Sequence, residues 1–226
     1  MFLPKACLFD LDGLLLDNEL LHGQAWSKTA EKFGKKLTEK QLLALRGRRR
    51  VDCAIQIKEW LSKPIDFKDL LAVHKPISKL RLSQSHAMPG AEKLVKYCFK
   101  KKVPMALVTS SSQEAVSNKT SPHPWLEILN TRVLGDDSAL SEGKPSPGPY
   151  LLAAKKLNVN PHECWAMEDS SAGTTSALKA GCKVWVLCRQ DFKNHVKYNS
   201  STDNPIHINH LDQVYNELIN TFESKE

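Results

Sequence analysis

The chain has 226 residues, of which 41% are hydrophobic and 25% are charged. That length and composition are typical of a globular protein with one full domain and a smaller insert, and they exclude intrinsic disorder over most of the chain. The longest apolar runs, such as residues 184–188, are far shorter than the ~20 residues that a membrane helix needs, so we expect no membrane partner.

Basic residues outnumber acidic residues by 32 to 25, which gives a formal charge of +7 and favours anionic partners. The densest basic runs, residues 46–50 and 100–102, are short and lack interleaved aromatic side chains, so we expect a phosphorylated metabolite and no nucleic acid as partner. The six cysteines form no C-x-x-C pair, which predicts reduced, buried thiols. Residues 1–9 are too few for a secretory signal, and we expect a cytoplasmic monomer.

Short apolar runs alternate with longer helical patterns along most of the chain. The runs predict buried parallel strands at residues 6–9, 105–108, 132–134, 164–167 and 183–187. The other patterns predict helices at 90–102, 149–157 and 171–180, a polar loop at 199–204, and an edge segment with a closing helix within 206–222. Gly181 is expected to end the third helix. This alternation predicts an α/β fold with a doubly wound parallel sheet.

The pattern changes between residues 17 and 85, directly after the first predicted strand. Apolar residues recur there at helical spacing, among them Trp26, Ala30 and Trp60, and no strand-like run interrupts them. We therefore expect a small all-helical cap domain at residues 17–85, inserted into a core domain formed by residues 1–16 and 86–226.

Two aspartates, Asp10 and Asp12, follow the first predicted strand in the sequence Asp-Leu-Asp-Gly. In an open parallel sheet, ligands bind outside the carboxyl ends of the strands, and this rule places both carboxylates at a binding edge. Such a pair can hold a divalent cation and leave one oxygen free to attack a substrate. A turn with two solvated aspartates is the alternative.

Three later features are predicted at the same edge of the sheet. Thr109 and Ser110 supply hydroxyl and backbone N–H groups at a strand-to-helix turn, which can cradle an anion. Lys144 lies in a Gly-Lys-Pro turn, where its ammonium group can neutralise a phosphoryl oxygen. Glu168 and Asp169 bring two more carboxylates to a strand end. Each feature alone has an ordinary structural explanation, but together they predict one site.

The four motifs, in this order, resemble those of the haloacid dehalogenase superfamily of phosphotransferases, and the resemblance spans essentially the whole chain. It implies a Mg²⁺-dependent reaction through an aspartyl-phosphate, in which Asp10 attacks phosphorus and Asp12 acts first as an acid and then as a base. Mg²⁺ would be held by Asp10, the backbone carbonyl of Asp12 and Asp169, with Glu168 nearby. The transferred phosphoryl group would be bound by Thr109, Ser110 and Lys144.

A finer resemblance points in two directions. Residues 17–22 and Arg50 resemble the β-phosphoglucomutase-like subfamily, which implies that His22 and Arg50 bind the substrate. Segments 88–94, 119–123 and 134–137 are similar instead to the pseudouridine-5'-phosphatase and glycerol-phosphate phosphatase families. Outside Arg50, the basic run 46–50 is expected to be a solvated helix end. Lys119 and His123 have two interpretations, as residues that line the pocket or as residues that fix an irregular loop, and the loop is favoured.

The chain also departs from the family pattern. Gly148 stands where the family usually has aspartate, which is expected to remove a helix cap. Asn18 stands where the mutases usually have threonine, and the cap lysine has two candidates, Lys75 and Lys79.

The leading interpretation is a Mg²⁺-dependent phosphatase that hydrolyses a sugar, polyol or nucleoside monophosphate. A sugar phosphomutase of the β-phosphoglucomutase type is the alternative. A third hypothesis is a basic binding protein that keeps the fold without turnover, and it is disfavoured because each motif retains its reactive residue.

Overall fold

The computed structural model describes residues 2–82, 85–188 and 205–224, and the loop predicted at 199–204 lies outside these ranges. The strands, in chain order, are β1 (Ala6–Phe9), β2 (Leu16–Asp17), β3 (His86–Ala87), β4 (Met105–Val108), β5 (Thr131–Val133), β6 (Cys164–Glu168), β7 (Lys183–Leu187) and β8 (Ile206–Ile208). The α-helices are α1 (Glu19–Lys32), α2 (Glu39–Leu45), α3 (Arg50–Trp60), α4 (Phe67–Leu82), α5 (Ala91–Lys100), α6 (Gln113–Thr120), α7 (Gly148–Lys156), α8 (Ser171–Lys179) and α9 (Asp212–Glu223).

A six-stranded parallel sheet with the order β5-β4-β1-β6-β7-β8 forms the centre of the molecule. Strand β1 lies inside the sheet, with β4 and β5 on one side of it and β6, β7 and β8 on the other side. One face of the sheet is covered by α5 and α9, through Leu94 and Leu218, and the opposite face by α7 and α8, through Tyr150 and Ala177. The predicted doubly wound α/β architecture is confirmed.

The position of β1 explains where the site forms. Every residue of β1 is buried, because a central parallel strand has helices on both faces. Cys7 of β1 is in register with Met105 of β4 and with Trp165 of β6. The carboxyl ends of these three strands therefore lie side by side, at the point where the strand order reverses.

The helices α1 to α4 follow β2 and pack around an apolar cluster of their own, which includes Trp26, Leu45 and Ile57. Helix α2 begins with a capping box, in which the side chains of Thr38 and Gln41 accept from each other's backbone N–H groups. The assignment of residues 17–85 to a separate cap domain stays a prediction.

A two-stranded antiparallel ribbon joins this helical region to the sheet. In the ribbon, Leu16 lies opposite Ala87, and Asp17 lies opposite His86. The two chain passages that lead into and out of the helical region are thus held side by side.

Helix α6 follows the predicted strand-to-helix turn after β4, but its extent was not predicted, because its sequence QEAVSNKT is polar and has no clear apolar period. Its start is fixed by Ser112, whose side chain accepts from the backbone N–H of Ala115. The prediction that Lys119 belongs to an irregular loop is wrong, since Lys119 lies inside α6. His123 lies in the turn that follows, with its Nε2 atom 2.9 Å from the carbonyl oxygen of Ser85.

The remaining helix ends follow their capping chemistry. Helix α7 begins at Gly148 with no side-chain cap, because Pro147 occupies the N-cap position. Gly181 follows α8 with φ of +90°, a conformation that favours glycine at a helix end. In the part of the chain that the structure describes, no helix has the length and apolar character needed to cross a membrane.

Candidate active site

Asp10 and Asp12 lie in the loop that leaves β1, at the carboxyl edge of the sheet. Gly13 turns this loop with φ of +88°, where a side chain would be strained. A Cβ atom at Gly13 would also overlap the carboxylate of Asp169. Glycine at this position therefore lets the loop after β1 pass directly against the residue that follows β6.

Lys144 is buried, and its Nζ atom binds three groups at once. It donates to Oδ1 of Asp10 at 2.6 Å, to Oε1 of Glu168 at 2.5 Å and to the carbonyl oxygen of Val108 at 2.9 Å. Burial by itself would lower the pKa of Lys144, but the two carboxylates raise this pKa above its usual value. A permanently charged ammonium group therefore ties the carboxyl ends of β1, β4 and β6 together.

Glu168 is held firmly as an acceptor. The hydroxyl of Tyr150 donates to Oε1 at 2.6 Å, and the hydroxyl of Ser170 donates to Oε2 at 3.1 Å. Gly173 closes the other side, because a Cβ atom there would overlap the Glu168 carboxylate. Glu168 therefore fixes both Lys144 and the turn after β6.

The carboxylates of Asp10, Glu168 and Asp169 are buried together, with one oxygen of each within 4.8 Å of the others. Burial raises the pKa of Asp10 above its usual range and that of Asp169 to about 7, and neighbouring carboxylates add to both effects. Oδ1 of Asp169 is buried and has no hydrogen-bond partner among the described residues. Crowded hard oxygen ligands with an unpaired oxygen atom fit Mg²⁺.

Several donors converge on the carboxylate of Asp12. Asn18 Nδ2 donates to Oδ1 at 2.6 Å, Ser111 Oγ donates to Oδ2 at 2.8 Å, and Lys119 Nζ lies 2.5 and 2.6 Å from the two oxygens. His22 Nε2 lies 3.2 Å from Oδ1. Burial alone would raise the pKa of Asp12, but Lys119 and His22 hold it well below its usual range. Asp12 is therefore ionised and oriented.

Thr109 and Ser110 follow β4, beside the loop that carries Asp10. Thr109 Oγ1 accepts from the backbone N–H of Ser111 at 3.1 Å, which fixes the turn. Ser110 Oγ donates to the carbonyl oxygen of Gly47 at 2.7 Å. Since Gly47 lies between α2 and α3, Ser110 joins the sheet edge to the helical region.

Arg46 lies in the same connection between α2 and α3 and reaches the sheet edge. Its Nη2 atom donates to Oδ2 of Asp169 at 2.5 Å, and its Nε atom lies 2.9 Å from Oε2 of Glu19. Burial would lower the pKa of Arg46, but the two carboxylates raise it. The prediction of a solvated helix end is therefore wrong for Arg46.

A cavity of about 420 Å³ separates the sheet edge from the helical region, a size typical of small-ligand sites. Of the predicted site residues, those that line the cavity are Asp10, Asp12, His22, Arg50 and Ser110. The other predicted residues are buried and are not part of this lining: Thr109, Lys144, Glu168 and Asp169. The structure thus gathers the predicted residues around one cavity and its supporting layer.

Lys119 and Arg46 contact the carboxylates of the predicted site, but neither of them was predicted from the sequence as a site residue. The sequence gives one indication for Lys119, because its segment resembles phosphatase families, but the same segment also suits a loop. No local sequence pattern indicates Arg46 as a site residue, since its contact with Asp169 joins parts of the chain that are 123 residues apart.

Comparison with known proteins identifies the family. The sequence profile of the haloacid dehalogenase-like hydrolases matches residues 7–187. The chain belongs to this family. Among the relatives of this hydrolase is a probable pseudouridine-5'-phosphatase of Drosophila melanogaster, which is 33% identical over 182 residues, or 79% of each chain. Hexitol phosphatase A of Escherichia coli is 30% identical over 220 residues, covering 95% of this chain and 91% of that protein.

A solved structure of β-phosphoglucomutase from Clostridium difficile shares the fold of this hydrolase. It has a TM-score of 0.79 and 21% sequence identity, and the match covers 100% of this chain and 99% of the mutase. The resemblance inferred from the four motifs is therefore confirmed: the protein is an enzyme of the haloacid dehalogenase-like hydrolases, and the two relatives named above are phosphatases.

Proposed function

We propose that the protein is a Mg²⁺-dependent phosphatase that hydrolyses a small phosphorylated metabolite through a phosphorylated form of Asp10. The observation that carries this proposal is the contrast between two neighbouring carboxylates. Asp10 lies against the charged ammonium group of Lys144, beside buried carboxylates that suit a cation. Asp12 is ionised and held by Lys119 and His22 at the cavity surface. Asp10 is therefore placed to attack phosphorus, and Asp12 is placed to donate and accept protons.

In the first step, a carboxylate oxygen of Asp10 forms a bond to phosphorus while the ester P–O bond breaks. The phosphoryl group carries about two negative charges, so its approach to Asp10 must be offset. Asp10, Asp169 and the carbonyl of Asp12 would hold Mg²⁺, which would supply positive charge for this purpose. Lys144 contributes a further fixed positive charge. Thr109 and Ser110 lie in the turn that faces the transferred phosphoryl group.

Asp12 handles the protons of both steps. The negative charge of a bound phosphoryl group raises the pKa of Asp12, which favours proton uptake and then donation to the leaving alcohol oxygen. In the second step the ionised Asp12 takes a proton from water, the water oxygen bonds to phosphorus, and the bond between phosphorus and the Asp10 oxygen breaks. Inorganic phosphate leaves, and the Asp10 carboxylate is restored.

The direct test is phosphate release from a panel of sugar, polyol and nucleoside monophosphates, with Mg²⁺ and with a chelator. We expect release only with Mg²⁺, and from at least one member of the panel. If no monoester releases phosphate under either condition, the proposal is wrong.

A sugar phosphomutase is the second candidate, and the observation that favours it is the placement of His22 and Arg50 on the cavity. A mutase must exclude water while a sugar hydroxyl attacks the phosphorylated aspartate. The relatives favour hydrolysis instead, because the two phosphatases are 33% and 30% identical to this chain, whereas the mutase of solved structure is 21% identical. β-Glucose 1-phosphate, supplied with Mg²⁺ and a trace of the 1,6-bisphosphate, separates the two. Glucose 6-phosphate that forms far faster than free phosphate identifies a mutase.

A further inference from the structure

The lining of the cavity is mainly apolar. The helical region contributes the apolar residues Leu20, Trp26, Leu42, Leu43 and Cys53, together with polar side chains such as Gln24 and Arg48. A polyol or sugar, which carries hydroxyl groups on every side, would leave much of this apolar surface without a matching partner. The lining is better suited to the faces of a flat, weakly polar ring.

His74 is a lining residue whose polar atoms are buried and unpaired among the described residues. The side chain is 1% exposed, and its ring stacks on Trp26 with the ring centroids 3.7 Å apart and the planes at 19°. Neither ring nitrogen has a hydrogen-bond partner within residues 2–82, 85–188 and 205–224. A buried imidazole with both nitrogens unpaired is costly in the free protein, because it has given up its bonds to water.

The imidazole of His74 is neutral. Burial, together with the nearby positive charge of Arg50, lowers the pKa of His74 to about 3. A neutral imidazole offers one N–H donor and one acceptor nitrogen. It therefore matches the edge of a ring that carries both an acceptor and a donor, such as the amide edge of a nucleobase.

The two lysines that follow His74 in α4 are not part of the cavity lining. Sequence reasoning left Lys75 and Lys79 as alternatives for a lysine that contacts the substrate. Both are exposed, and Lys75 lies 2.9 Å from Glu114 at the surface. Of the α4 residues in the described ranges, His74 is the one that lines the cavity.

We propose that His74 is a specificity-determining residue that hydrogen-bonds the heterocycle of the substrate, and that the substrate is a nucleoside monophosphate. The phosphate lies at the Asp10 end, and the base lies against the leucine side chains of the lining with its edge toward His74. This inference rests on the proposed phosphatase activity, because it assigns the leaving alcohol of that reaction.

The first test uses His74→Phe, which keeps a flat ring on Trp26 and removes both nitrogens. The substrates are the uridine, pseudouridine, adenosine and guanosine 5'-monophosphates, with glycerol 3-phosphate as a reference too short to reach α4. We expect the ratio of kcat/KM for the preferred nucleotide to kcat/KM for glycerol 3-phosphate to fall at least tenfold, mainly through KM. His74→Asn, which restores a donor and an acceptor, should recover part of that ratio. Lys79→Gln, on the exposed side of α4, is the matched control and should leave the ratio within twofold.

The second test measures binding without turnover. Calorimetric titration of the Asp10→Asn protein with the preferred nucleotide should give a Kd that rises at least tenfold when His74→Phe is added. Thermal unfolding of the single variant checks folding, and we expect no loss of melting temperature, since an unpaired buried group has been removed.

The outcomes separate this inference from the proposed function. Hydrolysis of glycerol 3-phosphate or sugar phosphates without hydrolysis of any nucleotide would refute the role of His74 and leave the phosphatase intact. An equal loss on nucleotide and reference substrates would assign His74 a structural role and also refute it. Absence of phosphate release from every monoester would refute the proposed function itself.

Discussion

At the scale of single residues, Asp10 and Asp12 are separated by one leucine and yet have opposite electrostatic settings. Burial and nearby carboxylates raise the pKa of Asp10, whereas Lys119 and His22 overcome burial and lower the pKa of Asp12. Alternation along the loop after β1 turns one side chain toward Lys144 and the other toward Lys119. This division of roles gives two predictions.

The first concerns the nucleophile. Asp10→Asn keeps the shape of the side chain and the contact with Lys144 but removes the attacking charge. We expect kcat to fall by about three orders of magnitude or more, with far-ultraviolet circular dichroism unchanged. The measurement is phosphate release under saturating substrate. A variant that keeps a tenth of the activity would remove Asp10 from this role.

The second prediction concerns Lys119. Lys119→Met removes the ammonium group that orients and neutralises Asp12, and we expect kcat/KM to fall by about 10²-fold. Lys119→Arg keeps the charge and should retain more activity than the methionine variant. The comparison is made by steady-state kinetics at equal fractions of folded protein. If Lys119→Met and the wild-type protein were equally active, Lys119 would have only a structural role in α6.

At the scale of elements, the connection between α2 and α3 decides how the helical region meets the sheet. Arg46 reaches Asp169, and the carbonyl of Gly47 accepts from Ser110. A Cβ atom at Gly47 would overlap the side chain of Ser170, so the backbone lies directly on the turn after β6. The guanidinium group of Arg46 thus partly neutralises a carboxylate that we propose as a metal ligand.

This contact predicts an effect on metal affinity. Arg46→Met leaves the Asp169 carboxylate without its cationic partner, and we expect Mg²⁺ to bind about tenfold more tightly, which corresponds to about 1.4 kcal/mol. Isothermal titration of the substrate-free protein measures it. Arg49→Met is the matched control, because Arg49 pairs with Asp52 and not with a site carboxylate. An unchanged or weaker affinity in Arg46→Met would show that the guanidinium group and the cation do not compete.

The elements also show what a sequence can predict. Strands β1, β4, β6 and β7 follow from short apolar runs, and the rule for parallel sheets brings the residues after β1, β4 and β6 to one edge. The extent of helix α6 could not be predicted, because its polar sequence depends on a cap at Ser112 and on the burial of Lys119 against Asp12. The contact of Arg46 with Asp169 and the stacking of His74 on Trp26 depend on how α2, α3 and α4 pack against their neighbours. Local sequence patterns do not predict such packing.

At the scale of the whole molecule, charge and packing act together. The chain has a formal charge of +7, which attracts an anionic substrate, while its buried acidic cluster opposes folding until a cation joins it. We therefore predict that Mg²⁺ raises the melting temperature, by mass action on the folded state. Differential scanning calorimetry of the wild type with and without Mg²⁺ measures the shift.

Asp169→Ala is the partner measurement, and it should abolish that shift. Because Asp169 also pairs with Arg46, the variant's own melting temperature without Mg²⁺ is the baseline for comparison. A full Mg²⁺ shift in this variant would place the cation elsewhere.

The antiparallel ribbon of β2 and β3 has a consequence for motion. Two independent single-chain tethers would let the attached helices tilt, twist and slide relative to the sheet. Pairing of Leu16 with Ala87 and of Asp17 with His86 removes most of that freedom, because the tethers can bend together but cannot slide past each other. We expect the remaining motion of the helices relative to the sheet to be mainly a rotation about one axis. A single distance between one probe on α3 and one on α8 would therefore track the entire opening coordinate.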